Sequence, residues 1–301
     1  MIRKKIAVAC GGTGGHIFPG LAIANILLKR GHDVTIWMAG KDIESEAVKE
    51  WNGKIITIPT EGFQYGLSLK SIMTLLKLFI GIIKAIFLMK NNTPNIVLAM
   101  GSYASIAPCI AAIFLKIPYI LHEANTVPGR AVSLLSSKSV CIAISFKETK
   151  NYLNHPNIIH TGMPLRNEIQ KALINKPYKK SNDYFTILIT GGSRGARVLN
   201  SSLPHIFSNT LLKDTSFKII HIIGNSSVDI YEKIYKSLNI KADIYTFVHD
   251  IEKFYLESDL VIARSGASTC TEICAFGLPS ILIPYPYAIH DHQLKNAKVL
   301  E

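Results

Sequence analysis

The sequence has no C-x-x-C pair: its five cysteines, Cys10, Cys109, Cys141, Cys270 and Cys274, fall singly or four apart. That excludes a disulfide framework and a cysteine-rich zinc site, and an odd count suits reduced thiols in a cytosolic protein. It also lacks G-x-x-x-x-G-K-[ST], G-x-G-x-x-G and Asp-x-Asp. A P-loop, a dinucleotide fingerprint and a metal-chelating diphosphate motif are therefore not expected. Acidic residues are scarce, 21 Asp+Glu against 33 Lys+Arg, for a net charge of +12. Such a balance fits an anionic partner: nucleic acid, an acidic membrane surface or a phosphorylated substrate. The basic start MIRKKIAVAC is no signal peptide, because its apolar run breaks at Gly11-Gly12.

What remains is a globular composition, 48% hydrophobic in 301 residues, enough for two domains of ordinary size. Lys5 to Cys10 reads as a buried strand followed by Gly11-Gly12-Thr13-Gly14-Gly15-His16, then an apolar helix from Pro19 to Lys29 and a second strand from His32 to Met38. This order opens a doubly wound parallel α/β domain. Further strands are expected at Asn95–Met100, running into Gly101-Ser102-Tyr103, and at Pro118–His122, ending in Glu123-Ala124-Asn125. The device returns with a strand at Phe185–Thr190 before Gly191-Gly192-Ser193-Arg194-Gly195-Ala196-Arg197, and with Asp259–Ala263 before Arg264-Ser265-Gly266. Two similar domains, 1–162 and 163–301, are expected. Phe146 to Asn157 reads only as linker or helix.

The stretch at 67–90 is long and apolar, about 36 Å as a helix. Lys70, Lys77 and Lys84 recur every seven residues and share one face. A spanning helix would submerge lysines at roughly 2.5–3.5 kcal/mol each. A domain helix with one wet face accounts for most of it, and the surplus apolar surface is expected to meet lipid.

A glycine loop at a helix N-terminus offers close backbone approach and unpaired N–H groups to an anion. His16 at its mouth can serve as a general base near neutral pH, or merely cap the turn. In the second loop Ser193, with Arg194 and Arg197, suits a diphosphate, and Arg166 is a further phosphate candidate. Glu272 can accept two hydroxyl hydrogen bonds from a ribose, or simply complement the helix N-terminus.

GGTGGHIFPG, MGSYASIAP, LHEANTVPGR, TGMPLR, TGGSRGAR, ARSGASTCTEICAFGLPSILIPYP and DHQLKNA occur in that order. Together they resemble the MurG family of peptidoglycan N-acetylglucosaminyltransferases over nearly the whole chain. The resemblance implies a GT-B type α/β fold, two Rossmann-like doubly wound domains facing a cleft, with the acceptor taken by the first and the sugar nucleotide by the second. It implies inverting transfer of GlcNAc from UDP-GlcNAc to the MurNAc 4-hydroxyl of lipid I, giving lipid II, with no cofactor or metal. By matching motif positions, Thr13, Gly14, Gly15 and Asn125 would contact the donor sugar. Arg166 and Ser193 would hold the diphosphate, Val248 the uracil, Glu272 the ribose and Gln293 the GlcNAc hydroxyls. His16 is the leading base candidate, with Glu123 and Tyr103 near the acceptor. The implied partners are UDP-GlcNAc, lipid I and an anionic membrane surface, not nucleic acid, and the implied location is peripheral, on the cytoplasmic face of the cell membrane. The family's chains continue past residue 301, so the second domain is expected to be incomplete. A UDP-GlcNAc 2-epimerase, another lipid glycosyltransferase and a non-catalytic sugar-nucleotide-binding module remain as alternatives. LHEANTVPGR and the basic apolar helix argue against the epimerase.

Overall fold

The computed structural model describes residues 2–40, 48–49, 51–62, 69–175, 184–192, 196–209 and 217–301. The chain divides into two compact units, Met1–Arg166 and Asn167–Glu301. Arg166, expected in the second domain, is thus the last residue of the first unit.

The first unit carries β1 (Lys5–Ala9), α1 (Gly14–Lys29), β2 (Asp33–Met38), β3 (Lys54–Thr57), α2 (Leu69–Asn91), β4 (Ile96–Ala99), α3 (Ile106–Phe114), β5 (Tyr119–Glu123), α4 (Arg130–Leu135), β6 (Cys141–Ile144) and β7 (Ile158–His160). Its strands form a seven-stranded sheet in the order β3-β2-β1-β4-β5-β6-β7, parallel throughout. Alternation along β1 divides the core between the two faces of the sheet. Ile6, Val8 and Cys10 pack with Ile17 and Leu21 of α1, whereas Ala7 and Ala9 pack with Ala85 and Met89 of α2 and with α3. Both faces are covered, which is why these strands read as unbroken apolar runs.

Helix α1 begins at Gly14, not at Pro19 as the sequence led one to expect. Thr13 is an extended N-cap, φ −141° and ψ 158°, and its carbonyl accepts from the amides of His16 and Ile17 at 3.0 and 3.1 Å. The glycine pair therefore forms the first helical turn instead of an open loop. Pro19 sits inside the helix, where it removes a single backbone donor. Residues 147–152, read as linker or helix, form a short 3-10 helix ahead of β7.

Helix α2 buries its small residues and shows its large ones. Ser71, Thr74, Gly81, Ala85 and Met89 face inward. A Cβ on Gly81 would lie 3.0 Å from Ile58 Cγ2 and 3.8 Å from Ala107 Cβ, so the helix seats closely on its neighbours. Leu69, Ile72, Met73, Leu76, Phe79, Ile80, Ile83 and Phe87 are all more than half exposed. Lys77 Nζ reaches Glu61 Oε1 at 2.7 Å and Lys84 Nζ the Thr57 carbonyl at 3.1 Å, so these lysines border the seated face. Among the described residues this is the one helix long and apolar enough to cross a membrane.

The second unit carries α5 (Asn167–Ile174), β8 (Phe185–Thr190), α6 (Arg197–Asn209), β9 (Phe217–Ile222), α7 (Val228–Ser237), β10 (Ala242–Tyr245), α8 (Ile251–Glu257), β11 (Leu260–Ala263), α9 (Ala267–Phe276), β12 (Ser280–Leu282) and α10 (His292–Leu300). Its sheet order is β10-β9-β8-β11-β12, again parallel. Ile187, Ile189 and Ile219 pack there with Leu199 and Leu203 of α6 and Tyr235 of α7.

Candidate active site

In a doubly wound sheet, ligands bind beyond the carboxyl ends of the strands where the order reverses. In the first unit β1 and β4 are neighbours, with β2 and β3 to one side and β5 to β7 to the other. The loops leaving β1 and β4 should therefore line a crevice, and their contacts show that they meet. Gly12 has φ +92°, and a Cβ there would stand 2.8 Å from Tyr103 Cε1. The Ser105 hydroxyl donates to the Ala9 carbonyl at 3.2 Å, fastening the second loop to the end of β1.

His16 lies in the first turn of α1, with its Nδ1 2.7 Å from the Met100 carbonyl oxygen. A carbonyl only accepts, so the proton of the neutral ring resides on Nδ1 and Nε2 is the basic nitrogen. The same bond fixes the ring plane. The amides of Gly14 and Gly15, at the start of the helix, have no intrahelical acceptors. Phe18 packs over Gly14, whose Cβ would lie 3.0 Å from Phe18 Cε2, and the Arg166 guanidinium sits 4.9 Å from the Phe18 ring centroid. His16, Tyr103, Thr13, Gly14, Gly15 and Arg166 thus gather around one helix terminus.

Glu123 stands apart from that cluster in chemistry. It is buried, 2% exposed, and both carboxyl oxygens are engaged. Oε1 accepts from the Asn125 amide at 2.9 Å and Oε2 from the Gly129 amide at 2.8 Å. Burial pushes its pKa up to about 7, against the opposing pull of those amides. Thr149 Oγ1 donates to the Asn125 carbonyl at 3.1 Å, so the loop bearing Asn125 is held from both sides. Beneath it His122 is buried against the Ser145 hydroxyl at 3.3 Å, its pKa pushed down to about 4 by desolvation.

In the second unit the order reverses between β8 and β11. Gly192, φ +80°, follows β8, and a Cβ there would meet none of the described residues within 4 Å. Its amide donates to Thr190 Oγ1 at 3.3 Å. Ser193, Arg194 and Gly195 lie outside the described residues. Glu272, in the second turn of α9, accepts from the Tyr255 hydroxyl at 3.1 Å. Val248 is half-buried in the loop that follows β10. Gln293 is in the first turn of α10, and its Oε1 accepts from the Tyr285 amide at 2.9 Å. Sequence reasoning passed over Arg264 and Ser265, which bind the carbonyls of Ile283 and Gln293, and Asn296, which binds the Ser265 carbonyl; their motif was visible, but bonds 19 to 31 residues apart were not.

Residues 6–144 match the glycosyltransferase family 28 N-terminal domain, and residues 186–301 match the family 28 C-terminal domain. A UDP-N-acetylglucosamine--N-acetylmuramyl-(pentapeptide) pyrophosphoryl-undecaprenol N-acetylglucosamine transferase from Thermodesulfovibrio yellowstonii is 36% identical over 304 residues, 98% of this chain and 82% of that protein. The chain belongs to this MurG family of glycosyltransferases. A relative of the same name from Halalkalibacterium halodurans is 36% identical over 308 residues, covering 98% of this chain and 83% of the other. Among solved structures, MurG of Acinetobacter baumannii superposes with a TM-score of 0.77 at 29% identity, over 99% of this chain and 82% of that one. Its GT-B type fold is therefore also that of this chain. A UDP-GlcNAc 2-epimerase from Neisseria meningitidis, TM-score 0.65 at 16% identity over 92% of this chain and 82% of that one, shares the fold alone.

Proposed function

We propose that the chain transfers N-acetylglucosamine from UDP-GlcNAc to the 4-hydroxyl of MurNAc in lipid I, giving lipid II, with His16 as the base. The observation that carries the catalytic assignment is the 2.7 Å bond from His16 Nδ1 to the Met100 carbonyl, which leaves Nε2 as the proton acceptor. In the transfer, Nε2 takes the proton of the acceptor hydroxyl as its oxygen bonds to the anomeric carbon. The bond from that carbon to the UDP oxygen breaks, and the electron pair leaves with the diphosphate. One displacement of this kind inverts the anomeric centre and needs no protein nucleophile.

Negative charge growing on the diphosphate is stabilised by hydrogen-bond donors and positive charge aimed at it. Arg166 and Ser193 supply them, Val248 meets the uracil through its backbone, Glu272 holds the ribose and Gln293 the GlcNAc hydroxyls. Thr13, Gly14, Gly15 and Asn125 contact the donor sugar. Tyr103 lies beside the acceptor. Glu123, with both oxygens accepting amide hydrogens, acts here by holding the Asn125 loop.

The acceptor is lipid-linked, and the exposed apolar face of α2 supports peripheral docking on an anionic membrane, at the cytoplasmic face of the cell membrane. Its exposed Leu, Ile and Phe side chains each gain on the order of 1.5–3 kcal/mol on full burial in apolar surroundings. Lys70, Lys77 and Lys84 flank that apolar face, where their charge would attract lipid phosphates. Sedimentation with vesicles containing anionic lipid at low salt should carry the protein down, and its remaining in the supernatant would contradict docking.

Radiolabelled UDP-GlcNAc offered with a lipid I analogue, with diacylglycerol or without acceptor tests the reaction. Label should pass to the lipid I analogue alone. Free epimerised sugar, or label on diacylglycerol, would replace this reaction with another, and binding without transfer would leave a sugar-nucleotide-binding module.

A further inference from the structure

The loop leaving β11 carries Arg264 and Ser265, which have no part in the transfer as described. Arg264 Nη1 donates to the carbonyls of Ile283 at 3.0 Å and Pro284 at 2.8 Å, and its guanidinium lies 5.6 Å from the centroid of the Tyr285 ring. Ser265, fully buried, donates its hydroxyl hydrogen to the Gln293 carbonyl at 2.8 Å. The Ser265 carbonyl in turn accepts from Nδ2 of Asn296, also fully buried, at 3.1 Å. Finally the Tyr285 amide donates to Gln293 Oε1 at 2.9 Å. These bonds join the exit of β11, the segment after β12 and the first turn of α10. Between the last two, His290 and Asp291 hold left-handed φ values of 53° and 51°. A free chain avoids that conformation in non-glycine residues, so the segment keeps its shape only because its surroundings impose it.

An amide N–H can only donate, so the atom of Gln293 facing Tyr285 must be the carbonyl oxygen. The other branch of the side chain, Nε2 with its two hydrogens, is then the one left to face a ligand. We propose that Arg264 and Asn296 are positioning residues for recognition of the donor sugar: Arg264 directly, and Asn296 through Ser265, hold segment 283–293 so that Gln293 presents its N–H pair to sugar hydroxyl oxygens. The role rests on the assignment of Gln293 to the GlcNAc of UDP-GlcNAc. It makes a distinction that direct phosphate binding by Arg264 would not. UDP lacks the sugar, so loosening the segment should weaken UDP-GlcNAc and spare UDP.

The test compares wild type with Arg264→Ala, Arg264→Lys and Gln293→Glu, measuring kcat, the KM for UDP-GlcNAc, inhibition by UDP and hydrogen exchange at the Tyr285 amide. Arg264→Ala should raise the KM for UDP-GlcNAc about tenfold, the worth of one good hydrogen bond, with UDP inhibition changed less than about twofold. It should also speed exchange at Tyr285. Arg264→Lys, which keeps a cation and a donor, should recover part of the loss. Gln293→Glu keeps an acceptor for the Tyr285 amide but removes the N–H pair, so it should lose UDP-GlcNAc selectively while Tyr285 stays protected. It decides the matter if Arg264→Ala does not fold. Equal losses of UDP and UDP-GlcNAc, or an unchanged KM, would overturn the proposal. A wild type that uses no UDP-GlcNAc would overturn the reaction itself, and this role with it.

Discussion

The two units open alike, a strand followed by a glycine loop and a helix, yet the glycines at corresponding turns are needed for different reasons. Gly12 and Gly192 both hold positive φ, +92° and +80°. Beside Gly12 the space is filled: a Cβ would press on the Tyr103 ring at 2.8 Å, whereas at Gly192 none of the described residues lies within 4 Å. The first loop is closed down by its own protein around His16, and the described part of the second is left open. Similar sequence motifs thus give a closely packed corner beside His16 in one unit and, among the described residues, an open turn in the other.

Gly12→Ala should break this comparison most strongly. It adds the backbone cost of positive φ to an overpacked contact, about 3 kcal/mol together, readable as a lower thermal midpoint of the first unit. Acidification comes next. His122 and His221 are both pushed down to about 4 by burial, from an ordinary 6.5. Stability from such neutral histidines is present above 6.5 and is lost as pH falls toward 4. Glu123 works in the opposite sense. Raised from 4.5 to about 7, it binds its proton more tightly in the folded state, so its contribution falls as pH rises from 4.5 through 7. Between pH 7 and 5 these effects offset in the first unit, while in the second His221 alone should cost on the order of 2 kcal/mol. Hydrogen exchange at the two pH values should show β9 losing protection before β5, and Glu123→Gln should remove the difference by exposing the first unit to acid as well.

Gly192→Ala should cost only about 1–2 kcal/mol, since strain acts there with no clash among the described residues. A loss equal to that of Gly12→Ala, measured in the same unfolding assay, would show that both loops are packed alike. The smallest effect belongs to the Lys77–Glu61 pair, both partners roughly half exposed. Lys77→Ala should change stability by no more than about 0.5–1 kcal/mol, and should show itself instead as weaker sedimentation with anionic vesicles.

Strands such as Lys5–Ala9 and Phe185–Thr190 were legible as apolar runs ahead of a glycine loop, although the central strands Cys141–Ile144 and Phe217–Ile222 went unread. Lys54–Thr57, Ala242–Tyr245 and Ser280–Leu282 were not legible either, being three or four residues long, at sheet edges and without a buried run. The start of α1 misled for a local reason. Gly14-Gly15 has poor helix propensity, yet the Thr13 carbonyl and the packing of Phe18 over Gly14 recruit it into the first turn. His16 could be named as a candidate base from its place beside the glycines. Its tautomer could not, because Met100 is 84 residues away. Glu123 could be named as a residue near the acceptor, but its two amide partners, Asn125 and Gly129, could not be read from the sequence.

The central claim is that His16 takes the proton while Arg166 and the second unit supply the affinity for UDP. Steady-state kinetics of His16→Ala, with UDP inhibition measured on the same preparation, test it most directly. The kcat should fall about 10²–10⁴-fold, the worth of a positioned general base, with UDP inhibition unchanged. A parallel loss of UDP affinity, or a kcat near that of the wild type, would contradict the claim.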